Sequence, residues 1–145
     1  MQGIPVMAKS KVILLIFIAA ASYSLFSCGS SLKVPERVQS DPSFYFNIQP
    51  IFTQNCVANG CHNSAARGGL VLLQGPAYVN LVNVPSTQEP NRMRVLPGDA
   101  ENSYMIIKLE GSQTTGIRMP LGRDPLDQVL ILNLINWINM GARNN

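Results

Sequence analysis

Two thiols and an imidazole form the most distinctive chemical cluster of this sequence: Cys56, Cys61 and His62. Cysteine pairs followed directly by a histidine are the arrangement by which a chain attaches a c-type haem. The thiols add to the two vinyl groups of the porphyrin, and the histidine becomes an axial ligand of the iron. Because His62 is the only histidine in the chain, it is the predicted proximal ligand of such a haem.

The spacing of the two cysteines departs from the usual attachment motif. Residues 57–60 lie between them, whereas the usual spacer is a pair of residues. Attachment requires only that each sulfur reach its vinyl carbon, so a longer spacer is compatible with it if the loop bulges. Gly60 favours such a bulge because glycine adopts positive φ without a steric penalty.

Other chemistry is open to the same cluster. A disulfide between Cys56 and Cys61 would staple a small exported domain without any cofactor. Zinc lacks a fourth ligand at a suggestive spacing, and blue copper requires two histidines. Copper(I) held by Cys56, Cys61, His62 and a methionine would instead make the chain a copper carrier.

The segment 1–27 has the pattern of an export signal, with lysines before an apolar stretch. It ends in Leu25-Phe26-Ser27-Cys28, which resembles the lipobox of bacterial lipoproteins and implies cleavage before Cys28 and acylation of that cysteine. The aspartate that retains lipoproteins in the inner membrane is absent after Cys28, so the outer membrane is favoured. An uncleaved anchor over 12–26 is the alternative, although it is short for a span of roughly 20 residues. Both interpretations place the domain on the periplasmic side of the cell envelope.

Composition limits the partners of the exported domain. The polar segment 28–42 predicts a flexible tether, and the folded domain is expected over 43–142. Eleven Lys and Arg side chains stand against eight acidic ones, and two of the lysines belong to the predicted signal. No basic tract is interleaved with aromatic residues, which argues against nucleic acid as a partner.

Helical patterns predominate in the predicted domain, and no stretch alternates convincingly as a strand does. Asn47 is a candidate cap of a first helix that runs to about Asn55. Short helices are predicted over 76–82 and 103–109, with proline-rich loop between them. These patterns predict a small all-α domain with long loops.

The last helix carries the clearest signals. Asp124 is the predicted N-cap, Pro125 the first helical residue and Gly141 the stop. One face is apolar, at Leu126, Val129, Leu130, Leu134, Trp137 and Ile138. The wetter side is predicted at Asn133, Asn136 and Asn139.

A haem iron that only passes electrons needs a second axial ligand, and without another histidine a methionine is the natural choice. Met105 and Met140 fall in predicted helices, whereas Met93 and Met119 fall in loops. Met119 is followed by Pro120 and precedes the last helix closely. Met119 is therefore the favoured distal ligand, with Met93 as its rival.

These features together resemble the class I c-type cytochromes. In that family a first helix runs into the attachment motif, a loop methionine followed by proline binds the iron, and a last helix packs across the first. The corresponding residues here are Cys56, Cys61, His62, Met119-Pro120 and the helix 125–140. Further matches are Ile48-Gln-Pro-Ile-Phe52, Gly68-Gly69-Leu70, Pro97-Gly98-Asp99 and Trp137-Ile138. The long spacer is the departure, and it occurs in some multihaem cytochromes.

The resemblance implies a cytochrome c-like domain of short helices around one haem c, held by thioethers and by iron ligation from His62 and Met119. Arg118 is a candidate contact to a haem propionate. The pocket is expected to draw on Phe52, Leu70, Leu72, Ile107 and Trp137.

The implied function is transfer of single electrons between redox partner proteins of the envelope, with membrane contact through the lipid and no small-molecule substrate. We expect no enzyme, because a peroxidase-like site would need an open iron position and a distal proton shuttle such as a second histidine. The alternative function is a cofactor-free binding or scaffold lipoprotein, stapled by a disulfide between Cys56 and Cys61.

Overall fold

Short helices and long loops build residues 33–145, the part of the chain that the computed structural model describes. The predicted signal 1–27 and the predicted lipid site Cys28 lie outside these residues. The α-helices are α1 (Gln49–Asn55), α2 (Ala77–Leu81), α3 (Tyr104–Glu110) and α4 (Gln128–Asn139), joined by a π-helical turn at Phe44–Ile48 and 3-10 turns at Ala58–Gly60 and Arg67–Gly69.

Regular strands are absent from residues 33–145, where only isolated β-bridges occur. The described chain is therefore helical, in agreement with the predicted all-α class. The short helices predicted over 76–82 and 103–109 are confirmed as α2 and α3. None of the helices in this part combines the length and apolar character needed to cross a membrane.

The start of the first helical segment lies earlier than the sequence predicted. The Ser43 hydroxyl accepts a hydrogen bond from the Phe46 N–H and caps the π-helical turn that leads into α1. Asn47, the predicted cap, instead accepts from the Ser43 N–H through its Oδ1 at 2.8 Å. Each side chain thus accepts from a backbone N–H at the start of the helical segment, in a reciprocal arrangement like that of a capping box. Pro50 lies in the first turn of α1, where a missing N–H removes no helical hydrogen bond.

The predicted N-cap of the last helix, Asp124, is wrong. Asp127 caps α4, because its Oδ1 accepts from the Val129 N–H at 2.7 Å. Leu126 before this cap and Ile131 in the following turn are both buried in the core, the apolar arrangement that fixes the entry of a chain into a helix. Burial of Leu126 therefore decides between two acidic residues with equal local capping ability.

The polar side of α4 is also different from the prediction, because Asn133 is fully buried. Its Oδ1 accepts from the Gln39 N–H at 2.8 Å, and its Nδ2 donates to the Arg37 carbonyl at 3.1 Å. Asn136 donates to the Gln39 carbonyl in the same way. The segment 37–39, predicted as flexible tether, thus lies against α4, and the compact unit begins before residue 43.

The core gathers the apolar faces of α1 and α4 around the π-helical turn. Phe44 stacks against Trp137 with ring centroids 5.4 Å apart, and its edge-on contact with Tyr78 brings α2 into the same cluster. The fully buried side chains include Ile48, Ile51, Phe52, Leu81, Leu134, Trp137 and Ile138. This packing joins α4 to the π-helical turn, and through that turn to α1, at whose end the cysteine motif begins.

Candidate functional site

The motif loop begins where α1 ends. The Cys56 N–H donates to the Phe52 carbonyl as the last helical bond, and residues Ala58–Gly60 then form a 3-10 turn. Gly60 adopts a φ of +74°, which confirms the predicted use of glycine in a bulged spacer. The His62 N–H donates to the Cys56 carbonyl at 3.0 Å and closes the loop. The long spacer therefore folds into a turn that returns the histidine to the first cysteine.

Both motif cysteines are free thiols and are partly buried. Burial raises the pKa of the Cys56 thiol to about 12, against an opposing effect of the Arg123 guanidinium. The thiol is therefore protonated at neutral pH, and a protonated thiol is a poor nucleophile for disulfide exchange. Cys56 is therefore present as a protonated, partly buried thiol in this fold.

The ring of His62 is oriented by the backbone that follows it. Its Nδ1 lies 3.3 Å from the Leu70 carbonyl oxygen. Because a carbonyl only accepts, this contact requires the proton on Nδ1 and leaves the lone pair of Nε2 free for a metal. Burial lowers the pKa of His62, and Arg94 acts in the same direction while backbone bonds to Leu70 and Arg67 oppose them. The ring is thus neutral at neutral pH, as metal ligation requires.

A buried arginine beside the histidine escaped the sequence analysis. Arg94 is 9% exposed, and its guanidinium donates to the Asn80 carbonyl at 2.8 Å and to the Gly69 carbonyl at 3.0 Å. Among residues 33–145 no ion pair joins it to a carboxylate. A buried cation next to His62 suits an anionic group of a ligand. Its sequence position, far from the motif, gave no signal of this proximity.

The loop of the predicted distal ligand lies beside the motif. Arg123 donates from Nη1 to the Asn55 carbonyl at 3.4 Å, directly before Cys56. Met119 is partly buried against the core, and its N–H donates to the Lys108 carbonyl at 2.9 Å. The peptide bond between Met119 and Pro120 is cis. The structure therefore places this loop next to the first motif cysteine.

Met93, the rival ligand, has a different setting. It is half-buried and pairs with Pro85 in an isolated antiparallel bridge, and its carbonyl accepts from the Tyr104 N–H. The guanidinium of its neighbour Arg94 donates to the Gly69 carbonyl, in the loop that follows the motif. Both methionine loops thus approach the motif, but the hydrogen bond to the end of α1 belongs to the Met119 loop.

Arg118 lies at the other side of Met119 and packs over the end of α3. A Cβ at Gly111 would lie 2.9 Å from its Cδ, and the φ of +83° at Gly111 is one that side chains rarely adopt. Its Nη2 donates to the Arg123 carbonyl, while its Nη1 is buried without a hydrogen-bond partner among the described residues. A guanidinium nitrogen left in this state is suited to an anionic oxygen, and the contact to a haem propionate stays a prediction.

The residues predicted to line an apolar pocket divide into two groups. Phe52, Leu72 and Trp137 are buried in the core and Leu70 packs on it. Ile107 instead lines a polar cavity of about 220 Å³ together with Glu89, because the buried face of α3 carries its neighbours Ile106 and Lys108. Ile107 is therefore a wrong prediction for the pocket.

Metal sites built from imidazole, thiolate and carboxylate ligands are absent from the described part of the chain. Within residues 33–145, no group of three or more His, Cys, Asp and Glu side chains is placed to hold a metal ion. Thioether ligands belong to a different set, so Met119 and Met93 stand outside this finding.

Comparison with protein-family models, with curated proteins and with solved structures returned no match for this chain.

Proposed function

We propose that this chain is a monohaem c-type cytochrome that carries single electrons between redox partner proteins at the periplasmic side of the cell envelope. Cys56 and Cys61 would hold the haem through thioethers, and His62 and Met119 would bind its iron. When bound, haem c supplies a one-electron couple between ferrous and ferric iron. With both axial positions filled by the chain, no substrate is bound or transformed.

The observation that carries the proposal is the orientation of His62. The Leu70 carbonyl accepts a hydrogen bond from Nδ1–H, which puts the lone pair on Nε2, in a neutral ring directly after the thiols of Cys56 and Cys61. The same hydrogen bond makes the imidazole a stronger donor toward a metal.

Two arginines support the same assignment. Arg94 beside His62 and Arg118 beside Met119 each present guanidinium nitrogens near a predicted axial ligand. Haem propionates are anionic and require such partners when they are drawn away from water. The chain would thus neutralise a propionate from either side of the site.

Attachment is tested on the full chain, exported in cells that mature c-type cytochromes and purified in detergent. We expect a c-type pyridine haemochrome spectrum and an intact mass raised by one haem. The matched control is the double variant Cys56→Ser, Cys61→Ser, which should be colourless after the same purification. A colourless wild-type protein with a mass two hydrogens below its reduced form would replace this proposal with the disulfide-stapled scaffold lipoprotein.

Lipid anchoring is a separate part of the proposal and rests on the sequence around Cys28. We expect radiolabelled palmitate to be incorporated into the wild-type chain and lost in Cys28→Ser. The outer membrane should hold the labelled protein after membrane fractionation, since no aspartate follows Cys28. Label that persists in the variant would assign the membrane association to an uncleaved segment instead.

A further inference from the structure

Gln49, the first residue of α1, is a polar side chain buried at 1% exposure. Its Nε2 donates to the Leu72 carbonyl at 3.0 Å and to the Thr53 hydroxyl at 3.3 Å. Its Oε1 is buried without a hydrogen-bond partner among the described residues. A buried amide that leaves its acceptor unused is retained for its donor, and that donor points at Leu72.

The segment that receives this donor is the one that orients His62. The Leu72 N–H donates to the His62 carbonyl at 2.7 Å, and the Leu70 carbonyl lies 3.3 Å from His62 Nδ1. The segment 70–72 is therefore bonded to the backbone and to the ring of His62. Gln49 holds the same segment through the carbonyl of Leu72, from the side of α1.

We propose that Gln49 is a positioning residue for the axial histidine, acting by fixing the segment 70–72 against α1. The inference rests on the proposed function, and it concerns how the chain sets the properties of its own ligand. Only a donor serves at this place, because a carboxylate oxygen or a thioether would face the Leu72 carbonyl without a proton. Rotation of the amide would likewise set Oε1 against that carbonyl.

Loss of the Gln49 donor frees the Leu72 carbonyl and loosens the segment 70–72. The hydrogen bond from His62 Nδ1 to Leu70 then weakens, and the imidazole becomes a weaker donor to a metal. Electron donation by the imidazole stabilises ferric iron more than ferrous iron, so weaker donation destabilises the ferric state more. The reduction potential should therefore rise, and the ring of His62 should lose its single orientation.

The test compares the holoproteins of wild type, Gln49→Met and Thr53→Val. Gln49→Met keeps the length of the side chain and removes the donor. Thr53→Val removes the other acceptor of Gln49 and leaves the bond to Leu72. We expect Gln49→Met to shift the ferric-to-ferrous equilibrium toward ferrous iron by about threefold to tenfold, at or below the roughly 10- to 100-fold effect of a direct outer-shell partner.

A redox titration of each holoprotein measures this shift as a reduction potential, since a tenfold change corresponds to about 59 mV for one electron. The ferric EPR signal should broaden in Gln49→Met, and Thr53→Val should match wild type in both readouts. A purely structural role for Gln49 would lower thermal stability and leave the potential and the EPR signal unchanged. That result would overturn the inference. The cytochrome assignment would stand as long as all three proteins carried covalent haem.

Hydrogen exchange in the wild-type holoprotein provides a test that needs no variant. The Leu72 amide should exchange as slowly as the amides of α1, because its segment is held from both sides. Exchange of Leu72 at the rate of the exposed loop amides would overturn the inference, even if Gln49→Met failed to fold. Absence of haem from the wild-type protein would instead overturn the proposed function.

Discussion

The chemistry proposed for this chain depends on the protonation states of a few side chains. Burial keeps Cys56 as a thiol and His62 as a neutral ring, and the Leu70 carbonyl selects which ring nitrogen carries the proton. Iron ligation requires the neutral ring, whereas the sulfur of Cys56 must lose its proton as it adds to a vinyl group. Arg94 contributes to the neutrality of the ring by its charge, although the sequence separates it widely from the motif.

The distal ligand provides the most direct prediction at the scale of single residues. Met119→Ala should abolish the charge-transfer absorption band between sulfur and ferric iron and lower the reduction potential, because a thioether favours ferrous iron. Optical spectra and a redox titration of the holoprotein measure both effects. Met93→Ala is the matched control and should leave them unchanged. Loss of the band and a lower potential in Met93→Ala, with Met119→Ala unchanged, would make Met93 the distal ligand.

Asp99 provides a prediction about pH. Hydrogen bonds from the Asn102 side chain and N–H lower the pKa of its carboxyl below the ordinary value of 3.8. The native state therefore gains stability that is present above that value and is lost as the pH falls through the lower folded pKa. Wild type should have a higher melting temperature than Asp99→Asn at neutral pH, and the difference should shrink at about pH 2.

Thermal unfolding at the two pH values measures this difference. Asp124→Asn, at an exposed carboxylate outside this turn, is the control and should melt like wild type at neutral pH. A gap between wild type and Asp99→Asn that stayed constant with pH would assign the effect to shape rather than to charge.

At the scale of elements, α4 connects the site to the segment before it. Its apolar face packs on the π-helical turn that leads into α1, and its asparagines bind the backbone of 37–39. A helix with one apolar and one polar face is usually wet on the polar side. Here a neighbouring segment covers that side, and the asparagine amides satisfy its backbone groups.

Asn133 is the residue on which this docking depends, since it makes three hydrogen bonds from a fully buried position. Asn133→Ala should lower the free energy of unfolding by about 1–3 kcal/mol, because the half-buried hydrogen bonds to the Gln39 N–H and the Arg37 carbonyl are lost. Denaturant unfolding measures the loss. Trypsin should also cleave after Arg37 faster than in wild type.

The exposed Asn144 offers a control, and Asn144→Ala should match wild type in both assays. Equal cleavage of the Asn133 variant and wild type would mean that other contacts, such as the bond from Asn136 to Gln39, hold the segment alone.

At the scale of the whole molecule, a few aromatic residues carry the packing of a small domain. Trp137 is 1% exposed, stacks with Phe44 and donates from Nε1 to the Arg143 carbonyl at 2.9 Å. Trp137→Ala should lower the free energy of unfolding by about 3–5 kcal/mol. Since small domains are stable by only about 5–15 kcal/mol, this loss is a large fraction of the total.

Guanidinium unfolding of the cofactor-free chain measures the effect. Phe46→Ala is the matched control, because Phe46 is an aromatic residue that is 62% exposed. It should change the free energy of unfolding by about 0.5 kcal/mol or less, as for a surface substitution. A loss of equal size in both variants would mean that Phe46 is covered in solution.

The sequence by itself determined what depends on near neighbours. Thiols beside an imidazole define the candidate chemistry, Gly60 allows the bulge of the spacer, and Gly111 ends α3 because a glycine with positive φ terminates a helix locally. Helical class followed from the spacing of apolar residues, which reflects the repeat of the helix itself.

Tertiary structure alone decided what depends on distant partners. The burial of Asn133, the docking of 37–39 and the choice of Asp127 over Asp124 follow from which surfaces meet in the core. The link from Gln49 through the segment 70–72 to His62 is of the same kind. A polar side chain becomes buried only when a remote backbone group pairs with it, and a residue's own sequence neighbours carry no record of that partner.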